Sequence, residues 1–190
     1  MKLILLGGVQ GVGKTTLLSW LENKFAEKIT LLNPGELFRR YFYNERIKTL
    51  EEIEELIANK LEKMPNDSVV VVHWHYAVRR LSKYIPQINF SRLQRITESG
   101  KIEQVILFLV EAPATVVLER RLRDRRIKKR GISHSTINKE VAAEEKFWAK
   151  HKALFSRILG NRRVTAFRLT NISLRITKLR LSKLFEMLLF

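Results

Sequence analysis

The sequence predicts an α/β fold in which helices pack on both faces of a parallel β-sheet. Short apolar runs alternate along the chain with segments of helical periodicity, as expected when helices connect parallel strands. Two of the runs, Val69–Val72 and Val105–Val110, are apolar at every position, which is typical of strands buried on both faces. The length suits one domain over residues 1–190, and it is sufficient for a substantial core.

The first half of the chain supplies three strands and three helices. Lys2–Leu6 is a mostly apolar strand, and the helix Thr15–Ala26 has apolar side chains three and four residues apart. The short strand Ile29–Leu32 leads to Pro34, a residue favoured at the first position of a helix. A longer helix follows, because the segment Thr49–Glu52 has the spacing of a capping box. The Val69–Val72 run completes this half.

The second half continues the alternation after the other buried run. Pro113 begins a helix, and a long helix over Ser135–Leu159 ends at Gly160. Val164–Leu169 is expected to be the fifth strand. The tail from Ser173 is expected to form a final helix, although the alternation in SLRITKLRL also fits a strand.

The chain is strongly basic, with a formal net charge of +17 at pH 7. Eleven Lys and Arg residues and no acid lie between Lys146 and Phe185, and residues 120–130 hold eight basic residues and one Asp. Such charge attracts polyanions, so RNA or a ribosomal particle is a candidate partner beside nucleotides. A solvated, solubilising surface is the alternative explanation.

Composition excludes several classes of protein. The absence of cysteine excludes disulfides, thiolate metal sites and cysteine nucleophiles. No apolar run approaches the ~20 residues needed to span a bilayer. The N-terminal run lacks the cleavage pattern of a signal peptide, and we therefore expect a cytoplasmic protein. The basic, leucine-rich tail fits a helix on the sheet better than a membrane-surface helix, so no membrane partner is expected.

The stretch LGGVQGVGKTTL at residues 6–17 fits the phosphate-loop spacing G-x-x-x-x-G-K-[ST]. Glycines let the backbone curl with its N–H groups inward, and the following helix N-terminus favours anions. Lys14 is expected to reach the β- and γ-phosphates, and the Thr15 hydroxyl to ligate Mg²⁺. This motif predicts a nucleoside triphosphate site formed by Gly8, Gly11, Val12, Gly13, Lys14, Thr15 and Thr16.

With GVQGVGKTT close to its N-terminus, the chain resembles the nucleoside monophosphate kinases, most of all archaeal-type adenylate kinases and adenylate-kinase-like ATP-binding proteins. The resemblance extends, with decreasing strength, over nearly the whole chain. It implies a three-layer α/β/α P-loop NTPase fold with a five-stranded parallel sheet in the order 2-3-1-4-5. It further implies ATP and Mg²⁺ as cofactors, a monophosphate-binding insertion at about residues 33–65 and a basic lid at about residues 120–135.

The resemblance also assigns the acceptor side of the site. In NPGELFRR, Gly35, Glu36 and Arg39 match the G-[DE]-x-x-R helix that holds the monophosphate in these kinases. Gly35 and Arg39 are therefore expected to bind the substrate, since a planar guanidinium suits a phosphate. Arg40 is a substitute for Arg39, and an ordinary solvated arginine is the alternative.

Two further stretches resemble functional parts of the same kinases. EAPATVVLERRLRDRR is similar to the fourth strand and the helix entering the lid, whose arginines close over both nucleotides. This likeness implies catalytic roles for Arg120 and Arg126 beside Lys14, with a solvated helix face as the alternative. FRLTN is similar to the last strand and the loop at the adenine, which implies that Asn171 helps to bind ATP.

The chain departs from these kinases after the third strand, where they usually carry an Asp, often within Asp-x-His. VVVVHWHY has His73 and His75 instead, and imidazole is a poor Mg²⁺ ligand. Glu111 is a weak substitute for the missing acid. The leading hypothesis is a nucleoside monophosphate kinase. The missing Asp and the basic charge favour an alternative, an adenylate-kinase-like ATPase in RNA- or ribosome-associated processes, and transfer to another small hydroxyl compound is a third hypothesis.

Overall fold

A computed structural model describes residues 1–124 and 132–189. Five strands form one parallel sheet: β1 (Lys2–Gly7), β2 (Thr30–Leu32), β3 (Val69–His73), β6 (Gln104–Glu111) and β7 (Val164–Thr170). A separate antiparallel hairpin consists of β4 (Val78–Arg80) and β5 (Lys83–Ile85). The α-helices are α1 (Lys14–Phe25), α2 (Pro34–Phe38), α3 (Leu50–Glu62), α4 (Phe90–Glu98), α5 (Ala114–Arg123), α6 (His134–Leu159) and α7 (Leu174–Leu189). A π-helix (Arg39–Asn44) continues α2, and a 3₁₀ turn (Asn161–Arg163) precedes β7.

The strand order of the parallel sheet is β2-β3-β1-β6-β7. Numbered over these five strands alone, it is the predicted order 2-3-1-4-5, and the expected α/β/α P-loop fold is confirmed. In the register, Leu6 of β1 pairs with His73 of β3 and with Phe108 of β6. The carboxyl ends of the three central strands therefore lie side by side, where the glycine loop begins.

Two apolar clusters occupy the opposite faces of the sheet. Alternate residues of β1 serve the two faces, because successive side chains of a strand point in opposite directions: Leu3 and Leu5 belong to one cluster, Ile4 and Leu6 to the other. Helices α3, α4 and most of α6 cover the first cluster, and α1, α5 and α7 cover the second. This arrangement gives the three layers.

The predicted elements are present, with end points that differ by one or two residues. Thr49 caps α3 as expected: its hydroxyl accepts from the backbone N–H of Glu52 at 3.2 Å, and Glu52 accepts in return at 2.7 Å. The tail is a helix, α7, and not a strand. Among the described helices, none combines the length and apolarity required to cross a membrane.

The β4–β5 hairpin and α4 lie in a stretch for which the sequence analysis predicted no element. Each hairpin strand has only three residues, too few for an alternation pattern. Leu81 adopts a positive φ of 56° in the turn, a conformation that turn sequences usually signal with Gly, Asn or Asp. Helix α4 has nine residues, so its apolar face is marked by few positions.

Candidate active site

The loop between β1 and α1 extends from the carboxyl end of the central strand. Its backbone has positive φ angles at Gly8 (140°), Gly11 (94°) and Gly13 (94°). Space also excludes a side chain at Gly8, because a Cβ atom there would lie 2.2 Å from the carbonyl oxygen of Val110. The loop thus approaches β6 at a distance that only glycine permits at this position.

Lys14 begins α1 and is only 4% exposed. Its Nζ donates to the carbonyl oxygen of Gly8 and, at 3.1 Å, to that of Val9, so the ammonium group lies across the loop. Gly13 is the N-cap residue and has no side chain that could accept a hydrogen bond. The N–H groups in the first turn of α1 are therefore available to other acceptors. The ammonium group and the helix N-terminus together favour a phosphate group.

Thr15 and Thr16 are exposed in the first turn of α1. The Thr15 hydroxyl is an oxygen ligand of the kind that Mg²⁺ takes beside nucleotide phosphates and water. Glu111, at the end of β6, pairs with Arg168 at 2.8 Å. An open groove of about 430 Å³ extends from the two threonines between α1 and α7, and its lining residues are Thr15, Thr16, Ser19, Trp20, Asn23 and Lys178.

Two residues from distant elements hold the loop at the carbonyl oxygen of Val12. Asn171 follows β7, is 1% exposed and donates from Nδ2 to this oxygen at 2.6 Å. Arg120 of α5 donates to the same oxygen at 3.1 Å and to the carbonyl oxygen of Asn171 at 2.9 Å. Burial lowers the pKa of Arg120, and the charge of Arg123 adds to this effect. Both predicted residues thus contact the phosphate-binding loop, and their roles toward the nucleotide stay predictions.

Arg121 is a third residue that binds the loop, and no sequence motif predicts this role. Its Nε and Nη2 donate to the carbonyl oxygen of Gln10 at 3.0 and 2.8 Å, and its guanidinium also pairs with Glu140 of α6. The residue is 1% exposed. Its spacing could have indicated a buried position, because Arg121 lies four residues after the buried Val117 and so shares the core face of α5.

The segment after β3 brings two histidines to the same edge of the sheet. The rings of His73 and His75 have centroids 5.9 Å apart. Trp74 and Tyr76 are buried, and the Tyr76 hydroxyl lies 3.1 Å from one carbonyl oxygen of β1 and one of β6. In the part of the chain that the structure describes, no group of three or more His, Asp or Glu side chains is arranged to hold a metal ion.

Glu144 of α6 faces this segment and, like Arg121, belongs to no sequence motif. Its Oε2 accepts from the backbone N–H of Tyr76 at 2.7 Å and of Ala77 at 3.4 Å, and its Oε1 lies 3.1 Å from Nδ1 of His75. Burial raises the pKa of Glu144 to about 7, and the charge of Lys14 opposes this shift. Its position in the buried stripe of α6 is the signal that indicates an unusual glutamate.

The predicted acceptor residues follow β2 at the carboxyl edge of the sheet. Gly35 lies in α2, and Arg39 begins the π-helix with an exposed side chain. Arg40 pairs with Glu45 at 2.9 Å. Arg126, the second predicted lid arginine, lies outside the described residues.

Residues 7–139 match a protein family described as the AAA domain. The match covers more than half of the chain, including the phosphate loop and α5. The chain belongs to this family. The matched region therefore includes the phosphate loop, the segment after β3 and the arginines of α5.

Several known proteins similar to the chain are kinases. Adenylate kinases of Saccharolobus islandicus and Saccharolobus solfataricus are each 24% identical over 178 residues, covering 84% of this chain and 86% of the relative. The structure of shikimate kinase from Acinetobacter baumannii in complex with shikimate has a TM-score of 0.51 at 15% identity, covering 98% of this chain and 92% of that one. The latter likeness concerns the fold alone. The family match and the adenylate kinases confirm the resemblance to the nucleoside monophosphate kinase group of P-loop proteins and support a P-loop kinase.

Proposed function

We propose that the protein is an ATP-dependent nucleoside monophosphate kinase of the adenylate kinase type. The observation that carries the proposal is the phosphate loop with the buried Lys14 at its centre and the arginines of α5 against its backbone. Adenylate kinases that align with most of both chains support the choice of acceptor. The γ-phosphate of ATP would pass directly to the monophosphate, without a phosphorylated enzyme.

In this proposal, the loop residues and the first turn of α1 bind different parts of ATP and its Mg²⁺ ion. The ammonium group of Lys14 neutralises the β- and γ-phosphates, and N–H groups of the loop bind their oxygens. Thr15 would hold Mg²⁺, and the ion, when bound, offsets phosphate charge. Arg120 stabilises the negative charge on the transferring phosphoryl group, and Asn171 holds the loop and the base side of ATP.

Two further segments would bind the acceptor and close over the site. Residues 33–65 form the monophosphate-binding part, in which Gly35 permits close approach and Arg39 binds the phosphate as a planar fork. The lid at residues 120–135 would supply Arg126 beside Arg120 as a second cation for the transferring phosphoryl group. Lid closure excludes water, which would otherwise accept the phosphoryl group.

The test is the formation of ADP from ATP and Mg²⁺, alone and with each of AMP, CMP, UMP, GMP and dTMP. One monophosphate should strongly accelerate ADP formation, and its diphosphate should appear. Lys14→Ala should lower kcat at least ~100-fold, because it removes the phosphate-binding charge. The exposed Lys152→Ala is the matched control and should keep the wild-type rate.

Two other results would contradict the proposal. Acceleration by RNA or ribosomes alone would favour the ATPase alternative, for which the relatives give no support. Acceleration by a small hydroxyl compound, with no response to any monophosphate, would favour transfer to a hydroxyl group.

A further inference from the structure

A buried carboxylate lies beside the phosphate loop at the place where the end of β3 lacks an acid. His73 ends β3, where the kinases that the chain resembles usually have Asp. Glu144 reaches the same edge of the sheet from α6, more than 60 residues later in the sequence. Its side chain is 4% exposed, and it lines a small cavity with Val9, Val12 and Glu111.

The contacts of Glu144 fix its carboxylate on both sides. One oxygen accepts from the N–H groups of Tyr76 and Ala77, and the other faces Nδ1 of His75 at 3.1 Å. The ammonium group of Lys14 acts on this carboxylate from the loop. Glu144 therefore connects helix α6 to the segment after β3 and lies within electrostatic reach of Lys14.

We infer that Glu144 is a positioning residue for phosphoryl transfer: its carboxylate replaces the acid missing after β3 and holds Lys14 and the 75–77 segment in place for ATP. This inference rests on the proposed kinase function. Glu144 acts through Lys14 and the backbone, and it does not itself react. A glutamine would preserve the shape and the acceptor oxygen but would remove the negative charge that interacts with Lys14.

The charge of Glu144 also couples ATP binding to protons. The positive charge of Lys14 favours the ionised form of Glu144, and bound phosphates would compete for that charge. The other titratable groups at Glu144 are His75, the buried hydroxyl of Tyr76 and the second carboxylate at the cavity, Glu111. A carboxylate next to a bound polyanion is stabilised by taking up a proton. ATP binding near pH 7 should therefore take up protons.

The experiment compares wild type with Glu144→Gln and with the control Glu145→Gln, which changes the exposed neighbour on the same helix. Calorimetric titration with ATP and Mg²⁺ at pH 7, in two buffers of different ionisation enthalpy, measures the protons exchanged. Kinase assays with the monophosphate that accelerates ADP formation measure kcat and KM separately. Wild type and Glu145→Gln should take up a fraction of a proton, and Glu144→Gln should take up none. In Glu144→Gln, kcat should fall about 10- to 100-fold while KM for ATP changes less than about threefold.

Each failure has a distinct signature. A wild-type protein that binds ATP but transfers to no monophosphate contradicts the proposed function, and the proton measurement still tests Glu144. Equal proton uptake or equal kcat in Glu144→Gln and Glu145→Gln overturns the inference alone. If Glu144→Gln does not fold, the titration of the wild-type protein alone tests the inference. Binding of ATP without proton uptake at any pH between 6 and 8 would overturn it.

Discussion

His151 is a titratable side chain enclosed by aromatic rings in the core. Its ring centroid lies 5.8, 5.2 and 4.9 Å from those of Trp74, Tyr76 and Phe90. Burial lowers its pKa to about 4, although a hydrogen bond with the carbonyl oxygen of Phe147 opposes the shift. The folded protein therefore contains a neutral imidazole at neutral pH.

Replacing His151 by Leu should make the protein less sensitive to acid. An unfolded histidine takes up a proton near pH 6.5, but the folded one does so near pH 4. The stabilisation from the neutral ring is therefore fully present above pH 6.5 and lost as the pH falls from 6.5 to 4. Between pH 7 and pH 4, the free energy of unfolding of His151→Leu should improve relative to wild type by about 3 kcal/mol. Urea unfolding at both pH values measures this difference.

The comparison with wild type is needed because Glu144 titrates in the opposite sense. Its folded pKa of about 7 exceeds the usual 4.5, so its contribution favours folding below pH 4.5 and is lost as the pH rises through 7. This contribution is common to both proteins and cancels in the difference. The exposed His134→Gln is the control. Identical acid sensitivity of wild type and His151→Leu would refute the prediction.

Sequence separation distinguishes the site residues that were predicted from those that were missed. Lys14 and Thr15 belong to a local motif, in which the loop, the lysine and the helix start are consecutive. Glu144 and Arg121 act on partners 68 and 111 residues away, Tyr76 and Gln10. No local pattern encodes such a pairing, and a charged residue on a buried helix face is its only sequence trace.

At the scale of elements, Arg121 connects α5, the phosphate loop and α6. Its guanidinium makes two hydrogen bonds to one loop carbonyl and an ion pair with Glu140. Helix α5 leads into the segment that we propose as the lid. Arg121 thus fixes the loop directly to the helix that carries Arg120.

Arg121→Met should loosen the loop and weaken ATP binding, because it keeps the apolar stem but removes the planar fork. We expect the Kd for ATP to rise about tenfold, equivalent to ~1.4 kcal/mol. Arg121→Lys should lie between this variant and wild type, since one ammonium group cannot reproduce the bidentate contact. Calorimetric titration with ATP gives the Kd, and circular dichroism at the same temperature verifies folding.

The control is Arg180→Met, the same change at an exposed arginine of α7. It should keep the wild-type affinity for ATP. A folded Arg121→Met protein with that same affinity would show that α5 does not hold the loop in its binding conformation.

Elements were predictable where their limits have local chemical signals. Thr49 and Glu52 form the capping box expected from their spacing, and α3 begins there. The hairpin turn at Leu81 has no such signal, because a leucine with positive φ contradicts local preference. Tertiary structure determines this turn, so a single sequence does not indicate it.

At the scale of the whole molecule, charge is distributed unequally between the two edges of the sheet. The acid-free stretch 146–185 comprises the second half of α6, the edge strand β7 and most of α7. Residues 33–67 connect the opposite edge strand, β2, to β3, and they carry eight acids and six basic residues. The net charge of +17 was predictable from composition, but this polarity depends on the strand order.

The β7 edge should therefore bind polyanions without sequence preference and in a salt-dependent way. Arg162 and Arg163 are exposed in the 3₁₀ turn before β7. Reversing both to Glu should weaken binding of a short single-stranded RNA and reduce the slope of log K against log salt by about 1.4, because two phosphate contacts are lost and each contributes about 0.7 on a single strand. Fluorescence anisotropy at several salt concentrations measures both quantities, and the Kd for ATP should stay unchanged.

The matched control separates a surface effect from net charge. Lys60→Glu with Lys63→Glu makes the same change of net charge on α3 and its C-cap, in the segment that joins the opposite edge strand. If the β7 edge is the binding surface, this variant keeps most of the RNA affinity and the wild-type salt slope, since polyanions contact local charges within about one Debye length. Equal losses in both double variants would mean that total charge alone attracts RNA. The basic edge would then be a solvated surface, and the chemistry of the molecule would lie wholly in the phosphate loop and its supporting residues.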